Sequence, residues 1–203
     1  MSTPQRTRKT PAARAAEIRT AAADLAREQG LAALTLRAVA ERAGVASGLV
    51  AHYTESMDDV VAEAFADVVG AELADVRTIV ADAPERRLAL LFDAILGGDR
   101  RDVTLVWVEA WAQARRNPAL SGAIDEQMAA WQVFVAEIIS DGSRGGVFAT
   151  EDPDAVAAQL LAMMDGLAAH AMARGADPAP FVARLARASE VLLGAEPGTV
   201  TAG

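Results

Sequence analysis

Between residues 12 and 29 the apolar side chains Ile18, Ala22, Leu25 and Ala26 recur every three or four residues, the spacing of one helix face, and Gly30 follows as a stop. The same grammar of periodic run and breaker continues along the chain. Thr35 is placed to cap a helix over 36–43 that ends at Gly44, Ser47 to cap a short one reaching Tyr53, and Ser56 to cap a long one from Met57 to about Ala81, with Pro84 beyond it. Further helices are predicted over 85–96, 102–116, 119–140, 154–174 and 178–193, parted by Gly97-Gly98, Asn117-Pro118, the glycine-rich run 141–146 and Gly175. No segment alternates with period two, so the pattern predicts an all-α protein of about nine helices. Residues 1–11 are expected to be a disordered basic arm and residues 196–203 a frayed tail.

Composition agrees and narrows the chemistry. Alanine, the best helix former, fills 48 of the 203 positions. Without cysteine there is no disulfide framework, thiolate metal site or cysteine nucleophile. The two histidines, His52 and His170, are too few for a histidine-rich metal centre, and neither has a glutamate three residues before it, as a carboxylate-bridged metal oxidase would need. No paired-carboxylate, Ser-His-Asp or phosphate-loop arrangement is present, and the glycine-rich run 141–146 follows a helix without a strand-to-helix turn, so it reads as a flexible connection. An enzyme, a metal and a cofactor are therefore not expected. The N-terminus has no apolar core of a signal peptide, and the longest apolar stretch, 155–172, is interrupted by Gln159, Asp165 and His170, so a cytoplasmic protein without a membrane partner is expected.

Charge divides the chain in two. Residues 1–53 hold eight Lys or Arg against four Asp or Glu, whereas residues 54–203 hold eleven against twenty-four. A polyanion partner fits only the first part. That part contains Leu36 to Tyr53, LRAVAERAGVASGLVAHY, which meets the steric demands of a helix-turn-helix. Two short helices crossing near a right angle need a small residue at the crossing, here Ala40, beside core residues Val39 and Ala43. Gly44 supplies a positive φ at the turn, and Val45 and Val50 point back into the shared core. Ser47, Gly48, Leu49, Ala51 and His52 are left facing outward, where so short a helix gains a purpose by lying in a DNA major groove. Thr35 is a cap or a phosphate contact, and Arg37, placed where the helix dipole disfavours a cation, is a solvated arginine or one paired with a phosphate. Arg6, Arg8 and Lys9 enter a minor groove or form a solvated tail.

Residues 18–61, with Ala22, Leu25, Gly30, Thr35, Val39-Ala40, Ala43-Gly44-Val45, Gly48, His52-Tyr53 and Ser56, resemble the DNA-binding domain of the TetR family of bacterial repressors. The GLVAHY stretch, the tryptophans of the sixth helix and the DGL sequence at Asp165 most resemble its choline-responsive BetI-like branch. The resemblance implies a helix-turn-helix domain at 12–56 and a ligand-binding and dimerisation bundle at 57–195. It implies a homodimeric repressor on an inverted-repeat DNA site, released when a small molecule among helices 5–8 changes the separation of the two recognition helices. Helix 4, long enough to join both parts, is the expected lever. The DNA contacts implied are Thr35, Arg37, Ser47, Gly48, Leu49, His52 and Tyr53, although Tyr53 equally suits a core position against Leu25. Where the family usually has Tyr, Phe and Lys, this chain has Ala51, Thr54 and Met57, which weakens the phosphate clamp and keeps open a second reading as a sensor or adaptor with weakened DNA binding.

Eight of the nine aromatic residues lie beyond residue 53 at full count, Tyr53 being the other. Trp107, Trp111, Met128, Trp131 and Phe134 on helices 6 and 7, with Asp165 on helix 8, either line an effector pocket or fill the core. Glu109 lies about 200° around the helix from Trp107 and Trp111, so it points away from their face, and the spacing favours a neutral, small hydrophobic effector. Leu160, Met164 and Leu167 on helix 8 and Phe181, Leu185 and Leu192 on helix 9 form two apolar stripes, which pair with their symmetry mates in a dimer or face only the chain's own core.

Overall fold

The computed structural model describes residues 10–81 and 86–200, so the basic arm carrying Arg6, Arg8 and Lys9 lies outside the described residues. Among the described residues there are nine α-helices and no strand: α1 Pro11–Gln29, α2 Leu36–Arg42, α3 Ser47–Tyr53, α4 Met57–Ala81, α5 Arg87–Leu96, α6 Arg101–Gln113, α7 Pro118–Arg144, α8 Pro153–Ala173 and α9 Ala179–Leu193. Helices α1 to α3 form one unit and α5 to α9 a bundle. The long α4 packs against both, touching α1 at its N-terminal half and α5, α6 and α7 beyond it.

Local chemistry sets the ends of these elements. Thr10, one residue before Pro11, accepts from the Ala13 amide at 3.2 Å and starts α1. Gly30 ends it at φ 84° and ψ 169°, a backbone region open essentially to glycine alone. A short 3-10 turn, Leu31–Ala33, then leads to Thr35, whose hydroxyl accepts from Ala38 at 3.2 Å and opens α2. The turn between α2 and α3 is closed by the Gly44 amide on the Glu41 carbonyl (3.1 Å) and the Val45 amide on the Ala40 carbonyl (3.0 Å), with Gly44 at φ 63°. Ser56 opens α4 by accepting from the Asp59 amide at 3.1 Å, while its hydroxyl donates to the Asp59 carboxylate at 2.6 Å.

Three expectations are corrected. Ser47 does not cap α3: Ala46 holds the cap position without a side-chain bond, and Ser47 is the first helical residue. The glycine-rich run is not a flexible connection over its whole length, because α7 continues to Arg144. Asp141 holds that last turn by accepting from Arg87 at 2.6 Å and pairing with Arg144, and Gly142 is bare because a Cβ there would lie 2.3 Å from the Phe148 ring folded back over it. The tail is not frayed up to Val200. The buried Glu190 carboxylate accepts from the amides of Gly198 and Val200, both at 2.9 Å, and Val200 is packed into the core.

Polar contacts fix the N-terminal unit onto the bundle. Arg19 of α1 pairs with Asp67 of α4 at 2.6 Å, and Arg27 of α1 with Asp102 of α6 at 3.1 Å. The buried Asn117 caps α7 by accepting from the Leu120 amide at 2.9 Å and donates to the Asp58 carbonyl, at the start of α4, at 3.0 Å.

Candidate functional site

Two regions carry chemistry, one on the helix-turn-helix at the N-terminal end of α4 and one within the bundle. At the first, Val39, Ala40 and Val50 are buried at the crossing of α2 and α3, which leaves one side of α3 outward. Gly48 and His52 are exposed there, and Ser47 and Leu49 half-buried; Arg37 is exposed on α2 and makes no ion pair with a described residue. His52 meets the half-buried Tyr53 edge-on at 5.2 Å. Tyr53 packs against the core that includes Leu25, so its ring has a structural role whatever its hydroxyl does. Met57 also packs against that core, and the Thr54 hydroxyl donates to the Val50 carbonyl at 3.0 Å, which accounts for both residues without a DNA contact. A Cβ added to Gly48 would meet nothing within 4 Å.

The second region is a cavity of about 170 Å³ enclosed by α4, α5, α6, α7 and α8. Trp107 and Trp111 of α6 line one wall with ring centroids 5.6 Å apart, and Phe65 of α4 backs Trp107 edge-on at 4.9 Å. Trp131, Met128 and Gln132 of α7 and Met164 and Asp165 of α8 line the others. Met128 is 45% exposed and marks the opening together with the exposed Ala158 and Ala162. Trp131 is 5% exposed and its indole N–H has no acceptor among the described residues.

Four of the expected ligand residues other than Asp165, namely Trp107, Trp111, Met128 and Trp131, are thus brought together with it. Phe134 is not among them: it is 1% exposed within the core, and its ring lies under the Arg77 guanidinium at 4.4 Å. Glu109 does point away from the tryptophans, as the helix geometry requires, and its carboxylate accepts from the Ala32 amide at 2.9 Å.

The residue that sequence reasoning missed is Glu72. It is 7% exposed in the middle of α4, among Val68, Val69, Leu73 and Val76, and it reaches the cavity. The only trace in the sequence is an acid inside the apolar stripe of a long helix. Burial pushes its carboxyl up to about 7, while Arg100 and a hydrogen bond from the Trp107 indole draw it back, Asp102 adds to the rise and Arg27 opposes it. Arg100 does not pair with it directly, since its guanidinium donates to the Ala94 carbonyl and to Asp75. Asp165 is pushed up to about 6 by burial alone. Two carboxyls therefore face one aromatic cavity whose lining contains no Lys, Arg or His. Among the described residues no group of three His, Asp or Glu is placed to hold a metal ion.

The expected dimer stripes are corrected in part. Leu160, Met164 and Leu185 are buried in the chain's own core and have no surface to give a partner, while Leu167, Phe181 and Leu192 are half-buried. Leu160 and Met164 face inward because large apolar side chains gain most from burial. Its open side carries Ala155, Ala158, Ala162, Gly166 and Ala173. By length and composition α8 is apolar enough to cross a membrane, yet only 22% of its most apolar window is buried within the chain.

Residues 18–64 match the model of the bacterial regulatory proteins of the tetR family, and residues 84–194 match that of the BetI-type transcriptional repressor, C-terminal. No curated protein matches the chain. Among solved structures, a TetR transcription regulator from Haloarcula marismortui is similar at 23% identity and TM-score 0.74, over 90% of this chain and 97% of that one. The fatty acid degradation regulator FadR from Bacillus halodurans is similar at 21% identity and TM-score 0.69, over 93% and 97%. A regulator from Saccharomonospora viridis, solved in complex with choline, is similar at 24% identity and TM-score 0.73, over 87% and 94%. These structures share the fold and differ in what their names say of ligands, so the cavity's own residues must decide the effector. With the N-terminal match on the helix-turn-helix and the C-terminal one spanning more than half of the chain, the chain belongs to the TetR family and is a transcriptional regulator with a BetI-type C-terminal domain.

Proposed function

We propose that the chain is a homodimeric, cytoplasmic repressor of an inverted-repeat operator, released by a small organic cation rather than by a neutral effector. The observation that carries the cation is the cavity itself: three tryptophans, two carboxyls and no basic side chain in the lining. Tryptophan faces attract ammonium groups by about 0.5–2 kcal/mol for each well-placed ring. A carboxylate in a place sheltered from water needs a counter-charge, and Asp165 has none among the described residues. The choline complex of the Saccharomonospora protein supports the same ligand chemistry. The open, small-residue side of α8, together with a Val191 that is 81% exposed on α9, supports the dimer, because a helix this apolar is stable in water when a second copy covers it.

The test is thermal unfolding with choline, tetramethylammonium and their uncharged carbon isosteres. The ammonium members are expected to raise Tm and the isosteres to leave it unchanged, with Asp165→Asn reducing the shift. Equal shifts from charged and uncharged members would refute the cation, and no shift from any would refute the pocket. For the DNA end, selection from a random library is expected to recover an inverted repeat whose affinity falls steeply with salt.

Gly48 supplies a sharper test of the recognition helix. Gly48 is the second residue of α3, where alanine is at least as good a helix former as glycine, and no described residue occupies the space that a Cβ would fill. Gly48→Ala is therefore expected to leave Tm unchanged or higher while lowering operator affinity by about tenfold or more, because the space serves a DNA surface that approaches closely. Unchanged DNA binding in a more stable variant would move the interface off this side of α3.

A further inference from the structure

Helix α6 has two working sides. Thr104, Trp107 and Trp111 face the cavity, and Asp102 and Glu109 lie roughly opposite them, on the side turned to α1. On that opposite side the Glu109 Oε2 accepts from the Ala32 amide at 2.9 Å, in the 3-10 turn that joins α1 to α2. The approach is close. An ideal Cβ on Gly30 would lie 2.6 Å from one Glu109 carboxylate oxygen and 2.8 Å from the other, so the bare backbone of Gly30 is what lets the carboxylate reach the turn. About two turns earlier on α6, Asp102 pairs with Arg27 in the last turn of α1 at 3.1 Å.

We propose that Glu109 is a coupling residue, a strut that carries movement of the effector-contacting α6 straight to the junction of α1 and α2, by a route that does not pass through α4. The proposal rests on the reading of the cavity as the effector site. Its physical basis is the stiffness of what lies on either side. The tryptophans and Glu109 are fixed to one helix, so a displacement of Trp107 and Trp111 around a ligand displaces Glu109 with them. The hydrogen bond cannot absorb it, since at 2.9 Å it weakens steeply once stretched by about half an ångström. Ala32 stands three residues before Thr35, whose hydroxyl fixes the first turn of α2, so the turn hands the movement to the helix-turn-helix. A contact with two discrete arrangements, made or broken, is what a coupling between distant sites requires.

The experiment measures the operator Kd with and without saturating choline, using the inverted repeat recovered by selection, for the wild type and three variants. Glu109→Met keeps the length of the side chain without an acceptor, Glu109→Ala removes both, and Glu109→Gln keeps a carbonyl that can accept from Ala32. The expected result is that Met and Ala leave choline affinity and choline-free operator affinity within about threefold of the wild type. Their ratio of operator Kd values with and without choline falls about fivefold or more towards one, and Gln retains it. A ratio in Met and Ala equal to that of the wild type overturns the strut, as does a Gln variant that loses coupling as completely as Ala. A wild type that binds both choline and the operator with a ratio of one overturns the effector reading itself, which separates the two failures. Tm of each variant checks that the fold is intact, and the Met variant keeps the comparison available if Ala unfolds.

Discussion

Replacing Glu72 by glutamine is expected to raise the free energy of unfolding by about 2–3 kcal/mol at pH 8 and to leave it nearly unchanged at pH 4. Burial raises this carboxyl from an ordinary 4.5 to about 7 in the folded chain. Below pH 4.5 both the folded and the unfolded chain hold the proton, and no stability is lost. As pH rises from 4.5 to 7 the unfolded chain releases its proton while the folded one retains it, so the native state weakens; above 7 the loss is complete. Glutamine is neutral throughout and keeps an acceptor for the Trp107 indole, so its curve lacks this decline. Urea titrations of wild type and variant at pH 4, 6 and 8 read the difference directly, and parallel pH dependences would refute the burial of an ionisable group at this site.

The parts of this molecule that were legible in the sequence are those governed by local rules. Gly30, Thr35, Gly44 and Ser56 mark helix ends because backbone conformation and orphan amides are settled within a few residues, and all four stand at such ends in the structure. The tryptophans of α6 could be paired by their one-turn spacing. What escaped depended on which elements meet. Glu72 looks like one polar slip in an apolar helix until α6, α7 and α8 close a cavity around it. Gly142 reads as a loop glycine until Phe148 folds back on it. Of the residues in the two apolar stripes, Leu160, Met164 and Leu185 are taken into the chain's own core, while Leu167, Phe181 and Leu192 stay half-buried, a division that depends on which neighbours cover each face. Trp131 and Phe134 are neighbours on α7 with rings 6.2 Å apart, yet one lines the cavity and the other lies in the core under Arg77, a difference that only the packing decides.

Choline is expected to bind on the order of 10–100-fold more tightly at pH 8 than at pH 5.5. The ligand is a quaternary ammonium and carries its charge at every pH, so any dependence comes from the protein. In the empty cavity Asp165 holds its proton up to about 6 and Glu72 up to about 7, and each must give it up before its carboxylate can attract the cation. At pH 5.5 Glu72 is the more heavily protonated of the two and sets most of the penalty; Asp165 adds a few-fold. At pH 8 both are ionised and the penalty is gone. The variants divide the effect: Glu72→Gln should leave a dependence of only about fourfold, whereas Asp165→Asn should leave most of the pH dependence while lowering affinity at every pH. Calorimetric titration across this range, repeated in two buffers of different ionisation enthalpy, also counts the protons released on binding, which should fall steadily from pH 5.5 to almost none at pH 8. Binding that is equally tight at both ends of the range, with no proton released, would mean that neither carboxyl faces the bound ammonium and that the tryptophans hold it alone.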